Sequence, residues 1–346
     1  MPRWPLNDPL GKVGQRMRTA VIGTGYLGKF HAQKYAQIAE VDLVGLVDLV
    51  GERAQEWADR LGTRAFVDYH DLLGKVDAVS VVVPTDQHFS VAKDFLESGC
   101  DVLIEKPIAS TLREAEDLIG TAKMCRRVLQ VGHLERFNPA FLAVRERIRA
   151  PHFIEVHRLT SFRGRGIEVD VVLDLMIHDL DIILSFVKTK WEQIHAVGVP
   201  VLTENVDIAN ARIQFEGGCV ANITGSRIST EEQRRIRIFQ PEAYIAVDYA
   251  AKKAALLHRT QIVPSGKTKI DGESIPVEPG DALENEIRSF LECSRMRSVP
   301  RVSGEDGKKA LALALQINEE IQKNIKKIPS ITSFYEISEG PRDHSW

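Results

Sequence analysis

Hydrophobic and polar positions in the first third of the chain alternate between short apolar runs and amphipathic stretches. Arg18–Ile22 reads as a strand and Leu27–Ile38 as a helix. Val41–Val47, ending at Asp48, is a second strand, and Gly51–Leu61 has helical periodicity. Ala65-Phe66 is a short third strand. Asp77–Val83 is a continuous apolar run, as a strand covered on both faces should be, and Pro84-Thr85 stops it. His88–Ser98 returns as a helix closed by Gly99. Asp101–Ile104 is the fifth strand, Leu112–Arg126 a helix capped by Ser110 or Thr111, and Val128–Val131 the sixth strand. Regular βα alternation implies a doubly wound parallel sheet.

The pattern then changes. After a helix over Asn138–Arg149, strands follow in series at Phe153–Thr160, Ile194–Leu202, Ala209–Phe215, Val220–Ser226, Arg235–Phe239 and Tyr244–Asp248. Gly217-Gly218 marks a hairpin. One strong helix, Val171–Val187, interrupts early; Ala282–Cys293 and Glu305–Ile325 follow late. The fold class is therefore α/β: an N-terminal Rossmann-type domain over 17–135, then an α+β domain over 136–335 with an open, mainly antiparallel sheet. Residues 1–16 read as a flexible lead-in and 336–346 as a tail. Met17 stands just ahead of the first strand as an alternative start.

With 45 Lys and Arg against 48 Asp and Glu, the chain has a formal charge of −3, which gives no field for nucleic acid or anionic membrane. No apolar run reaches membrane-spanning length. The four cysteines are far apart and form no C-x-x-C pair. That argues against a zinc site or disulfide scaffold and fits a reducing cytoplasm.

Two motifs bring chemistry into this frame. Gly23-Thr-Gly25-Tyr-Leu-Gly28 follows a strand and opens a helix, and Asp48 ends the next strand twenty residues on. Gly23 permits a tight turn, Gly25 lets backbone approach a pyrophosphate, and Gly28 allows close helix–strand packing. Asp48 can accept hydrogen bonds from ribose hydroxyls and repels a 2′-phosphate, so NAD is expected over NADP. Glu105-Lys106-Pro107 ends the fifth strand. Lys106 there can shuttle a proton or hold a substrate hydroxyl as a cation; taken alone, it reads rather as a surface lysine paired with Glu105. Farther on, Asp174 and His178 share a helix face at i, i+4. His178 suits a general base for hydride transfer, with Asp174 orienting it. The pair also resembles half a metal site or a surface ion pair, but no third ligand is apparent.

Taken together these residues resemble the Gfo/Idh/MocA oxidoreductases over about Arg18–Ile325. The resemblance rests on the glycine loop, Pro84 with His88, Glu105-Lys106-Pro107, Asp174 with His178 and Asp181, and Pro300–Gly307. It implies NAD(P)-linked chemistry on a sugar or polyol hydroxyl and a homodimer or homotetramer. It implies a cofactor held by Gly23, Gly25, Tyr26, Leu27, Gly28, Asp48, Pro84, Thr85, His88, Glu105 and Lys106. Lys106, His178 and Asp174 carry over as catalytic residues that also contact substrate, and no metal is called for. The phrases Val131–Pro139 and Leu175–Asp181 resemble the branch that oxidises the 3-hydroxyl of UDP-N-acetylglucosamine ahead of an aminotransferase. Arg163, Arg165 and Arg227, with Arg158, are candidates for binding a nucleotide diphosphate. Other nucleotide sugars, free sugars or inositol would use the same catalytic set. A non-catalytic cofactor or sugar sensor on this fold should lack Lys106 or His178. His133 and Arg136, near the domain junction, have no role assignable from the residues alone.

Overall fold

The computed structural model describes residues 16–164, 166–262 and 268–326. The expected lead-in, apart from Arg16, and the expected tail lie outside them. The first sheet is built from β1 (Met17–Ile22), β2 (Val41–Val47), β3 (Arg64–Phe66), β4 (Ala78–Val81), β5 (Asp101–Glu105) and β6 (Leu129–Gly132). Its order is β3-β2-β1-β4-β5-β6, all parallel. The helices between them are α1 (Gly28–Gln37), α2 (Gly51–Leu61), α3 (Thr85–Glu97) and α4 (Leu112–Cys125). This is the dinucleotide-binding strand order, with its crevice at the carboxyl ends between β1 and β4. All four β4 residues are buried, as the continuous apolar run required. Helix α3 starts at Thr85, three residues before the expected start at His88, so Pro84 lies at its N-cap. Thr111 caps α4 in a reciprocal capping box with Glu114.

The second sheet has eight strands: β7 (Phe153–Leu159), β8 (Trp191–Val199), β9 (Ile208–Phe215), β10 (Val220–Ser226), β11 (Gln233–Gln240), β12 (Ala243–Asp248), β13 (Lys253–Ile262) and β14 (Thr268–Ile275). The order is β14-β13-β12-β11-β7-β10-β9-β8, antiparallel except where β7 pairs β10. Gly217 and Gly218, both at φ +87°, make the β9–β10 turn. Alternate residues of β9 (Ala209, Ala211, Ile213 and Phe215) are buried on one face. Strands β13 and β14 extend the sheet beyond the six read from the pattern. The last of them is an edge strand of sequence TKIDGESI, too polar and glycine-broken to give a period-2 signal.

Three helical features differ from expectation. The helix expected over Asn138–Arg149 is α5 (Pro139–Val144) followed by one 3₁₀ turn, with the Asn138 side chain accepting the Ala140 N–H as N-cap. The helix expected over Val171–Val187 opens with a π-helical turn, Val172–Met176, before α6 (Ile177–Phe186). Helix α7 (Ala282–Met296), expected in the second domain, buries Ile287, Phe290 and Leu291 with Tyr35, Leu46 and Leu103 in the first domain's core. Helix α8 (Gly304–Ile325) belongs to both cores. Its Leu311 packs with Val131 and Leu118, while Leu313, Ala314 and Ile317 pack with Ala196, Ala211 and Ile183.

Candidate active site

The glycine loop is closed by contacts that only glycine allows. Gly23 is at φ +92°, and a Cβ there would lie 2.3 Å from the Val82 carbonyl oxygen. A Cβ on Gly28 would lie 1.8 Å from the Gly23 carbonyl oxygen, so helix and turn could not meet. Around Gly25 a Cβ would touch nothing within 4 Å. The space above Gly25 is therefore free, with the N-terminus of α1 beside it, which suits a pyrophosphate. Tyr26 and Leu27 flank it, exposed. Asp48, at the end of β2, accepts N–H bonds from Thr24 (2.9 Å) and Val50 (2.9 Å) and a hydroxyl bond from Thr24 (3.0 Å). Arg53 Nη1 lies 3.2 Å from its Oδ2. Burial alone would raise the Asp48 pKa, but these donors hold it below the ordinary value, so the carboxylate is ionised. The cradle and the carboxylate beside it fit a dinucleotide.

Pro84 and Thr85 open α3 at the carboxyl end of β4. His88, expected to touch the cofactor, is buried with Nδ1 2.8 Å from the Pro107 carbonyl oxygen and Nε2 3.0 Å from that of Val83. Its contribution is to fasten those two segments. Glu105 is likewise committed inward: Oε1 lies 3.2 Å from His31 Nε2, and Oε2 accepts the Lys106 N–H at 3.2 Å.

Lys106 crosses from the first domain to the second. Its Nζ donates to the Asp174 carbonyl oxygen at 2.6 Å and sits 3.6 Å from Asp174 Oδ1. Burial lowers the Lys106 pKa, with Asp174 and Glu105 opposing that shift. Asp174 lies in the π-helical turn, a distortion frequent at functional sites. Its carboxylate is directed to Lys106 and not to His178, contrary to the expectation that it orients the imidazole. Gly166, at φ +69°, lies over that carboxylate; a Cβ there would be 2.7 Å from Asp174 Oδ2.

One turn along, His178 has a buried Nδ1 without a hydrogen-bond partner. Burial, then the charges of Lys106 and Arg158, push its pKa well below the ordinary histidine value, so the ring is neutral. His133, fully buried at the end of β6, places its ring 6.4 Å from that of His178, edge to face. Both His133 nitrogens lack partners, and burial followed by the charges of Arg136 and Lys106 lowers its pKa to about 3. Asp181 faces away to pair with Arg136 (3.3 Å); burial raises its pKa to about 7.

The arginine candidates divide differently. Arg163 is exposed and pairs with Glu232. Arg165 lies outside the described residues. Arg227 is buried: its guanidinium donates to the carbonyl oxygens of Gly166, Val169 (2.7 Å) and Val206 (2.9 Å), and its Nε sits 3.1 Å from Asp207 Oδ1. Arg158, on the buried face of β7, grips Asp179 (2.6 and 3.0 Å) and Glu135 (3.0 Å). Arg227 and Arg158 are thus committed to the scaffold rather than free for a diphosphate. His31 went unread in the sequence. Its signal was a histidine one turn after Gly28 on the buried face of α1. Among the described residues no three His, Cys, Asp or Glu side chains are grouped to hold a metal, and no helix is long and apolar enough to cross a membrane.

Comparison with known proteins agrees with this geometry. Residues 17–133 match the oxidoreductase family with NAD-binding Rossmann fold, and 152–246 the GFO/IDH/MocA C-terminal domain. A UDP-N-acetylglucosamine 3-dehydrogenase of Acidithiobacillus ferrooxidans is 39% identical over 90% of this chain and 99% of its own. A myo-inositol 2-dehydrogenase of Thermotoga maritima is 26% identical over 89% of this chain and 97% of its own. The solved structure of the Acidithiobacillus enzyme GnnA superposes with a TM-score of 0.84 at 39% identity, covering 89% of this chain and 98% of that one. The glycine cradle, the strand order and the Lys106–Asp174–His178 junction find their common explanation here: the chain belongs to the Gfo/Idh/MocA family of NAD-binding oxidoreductases acting on CH–OH groups.

Proposed function

We propose that this protein oxidises the 3-hydroxyl of UDP-N-acetylglucosamine to a ketone, using NAD. The carrying observation is the junction of Lys106, Asp174 and His178 at the sheet's carboxyl ends, together with 39% identity along nearly the full length of a 3-dehydrogenase for that sugar nucleotide. Gly23, Gly25, Gly28 and Asp48 would hold the cofactor. NAD, when bound, supplies the acceptor for the hydride that leaves C3.

The protein's part is positioning and proton transfer. The Lys106 ammonium, anchored by Asp174, holds the substrate oxygen and stabilises the negative charge growing on it. Neutral His178 takes the hydroxyl proton as the C–H bond breaks. The products are the 3-keto sugar nucleotide, NADH and one proton. Asp48, ionised and paired with Arg53, selects a free ribose 2′-hydroxyl over a 2′-phosphate.

A 3-ketone is what an aminotransferase would consume next. The exposed Val197 and Val199 on the edge strand β8 support a homo-oligomer, and four free cysteines suit a reducing cytoplasm. The test is NADH formation with UDP-N-acetylglucosamine, with an aminotransferase and glutamate to draw off the ketone. Turnover lowered by about 10²-fold or more in Lys106→Ala is the expected result. Turnover with myo-inositol and none with the sugar nucleotide would overturn the substrate.

A further inference from the structure

A line of polar side chains runs through the apolar core of the first domain to the back of Lys106. Tyr35 and His31 lie four apart on the buried face of α1. Tyr35 Oη is 2.9 Å from Ser80 Oγ, in the middle of β4, and Ser80 Oγ is 3.1 Å from His31 Nδ1. His31 Nε2 is 3.2 Å from Glu105 Oε1, whose other oxygen accepts the Lys106 N–H at 3.2 Å. Tyr35, Ser80 and His31 are at most 1% exposed. Apolar side chains would fill this space without the desolvation cost of three polar groups.

With Glu105 ionised and the His31 ring neutral, the hydrogen atoms admit one order. His31 Nε2 must carry a proton, since a lone pair there would face a carboxylate. In the neutral ring Nδ1 then accepts from the Ser80 hydroxyl, which accepts from Tyr35. Every donor points toward Glu105. A Cβ on Gly132 would lie 3.0 Å from the Glu105 carboxyl carbon and Oε1, so β6 closes the other side.

We propose that His31, backed by Ser80 and Tyr35, is a positioning residue of the reaction centre: it fixes the Glu105 carboxylate behind Lys106 and so keeps Lys106 a cation when it holds the substrate oxygen. The catalytic consequence rests on the hydride-transfer reading above; the contact itself does not. Among the described residues, the titratable groups that face Glu105 include His31 from α1, Lys106 beside it, His88 from α3, His133 after β6 and Glu286 from α7. Glu286 is buried with both carboxyl oxygens unpartnered; burial and the nearby Glu105 raise its pKa well above the ordinary value, so it stays neutral. Burial would raise Glu105 too, but the His31 bond holds it below the ordinary glutamate value.

The test is an infrared pH titration of the NAD-loaded protein, with the Glu105 carboxyl band identified by its loss in Glu105→Gln. It needs no substrate, so its outcome is independent of which sugar is oxidised. His31→Asn keeps the Ser80 side of the ring but not the donor to Glu105, and should raise the band's midpoint by about one pH unit or more. His31→Gln, whose amide nitrogen reaches the Nε2 position, should restore most of that shift. The basic limb of kcat with UDP-N-acetylglucosamine, where Lys106 loses its proton, should move to lower pH in His31→Asn, with KM for NAD within about twofold of wild type. An unmoved band in His31→Asn, or equal shifts in His31→Asn and His31→Gln, would overturn the proposal. Should His31→Asn fail to fold, Ser80→Ala, which removes the support behind His31, must still raise the midpoint; no shift there is equally fatal.

Discussion

Asp207 holds together two loops on which the reaction centre leans, and replacing it by asparagine measures how much. Its Oδ2 accepts the N–H groups of Val201 (2.8 Å), Leu202 (2.6 Å) and Thr203 (2.9 Å). Its Oδ1 accepts the Thr203 hydroxyl (2.8 Å) and faces Arg227 Nε at 3.1 Å. In Asp207→Asn the amide oxygen stays with the three N–H groups, so the NH2 turns toward Arg227. The buried guanidinium then loses its counter-ion, a change that costs about 3–5 kcal/mol when nothing compensates. Arg227 keeps its bonds to the carbonyls of Gly166, Val169 and Val206, so the cost falls about 1 kcal/mol below that range, to about 2–4 kcal/mol. The titration of Asp207 gives an independent figure. Burial pushes its pKa up, but the N–H groups of Leu202, Val201 and Thr203 prevail and bring it from 3.8 to about 2. A carboxyl depressed in the folded state binds fewer protons there than in the unfolded chain. Its stabilisation, about 2–3 kcal/mol, is fully present above pH 4 and is lost as pH falls through about 2. Urea unfolding at pH 7 should therefore show Asp207→Asn less stable by about 2–4 kcal/mol. The deficit should shrink between pH 4 and pH 2. A loss under about 1 kcal/mol at pH 7, or one independent of pH across that window, would refute the reasoning.

Lys106→Ala should lower kcat by about 10²- to 10⁴-fold while the NAD dissociation constant, read by fluorescence quenching, stays within about threefold. Near-normal turnover would remove Lys106 from the reaction. Asp48→Ser removes the carboxylate but leaves Arg53, and should move the NAD to NADP ratio of kcat/KM at least about tenfold toward NADP; an unchanged ratio would mean the ribose is read elsewhere. Arg158→Met strands Asp179 and Glu135 in the core and should cost about 3–5 kcal/mol in urea unfolding. A variant as stable as wild type would mean those carboxyls are neutral without it.

The strand–helix alternation of the first domain was legible because each βα unit carries its own local signal: an apolar run, a stop and a helical stripe. The glycine loop, Asp48, Lys106 and His178 were legible because strand ends and helix periodicity place them. The partners of those residues were not. The i, i+4 spacing suggested that Asp174 serves His178, but a π-helical turn and the approach of Lys106 from the other domain redirect its carboxylate. Arg158 and Arg227 read as free cations because their carboxylates stand about 20 residues away in sequence, Asp179 and Asp207, on elements brought together only by the fold. His31 was hidden for a similar reason: its meaning depends on Ser80, which is 49 residues off and looks like one polar interruption in a buried strand.

Helix α8 has 22 residues, about 33 Å of continuous backbone, and its side chains are set in both hydrophobic cores. It is a splint across the crevice. Swinging one domain against the other would mean breaking this helix or pulling Leu311 or Leu313 from its core, whereas two domains joined by a loop alone could hinge freely. Lys106 and Asp174, on opposite sides of that crevice, are thereby held at contact distance. Shape selection falls to side chains and the loop over Asp174, and the crevice meets its substrate already set, as a mould and not as a jaw.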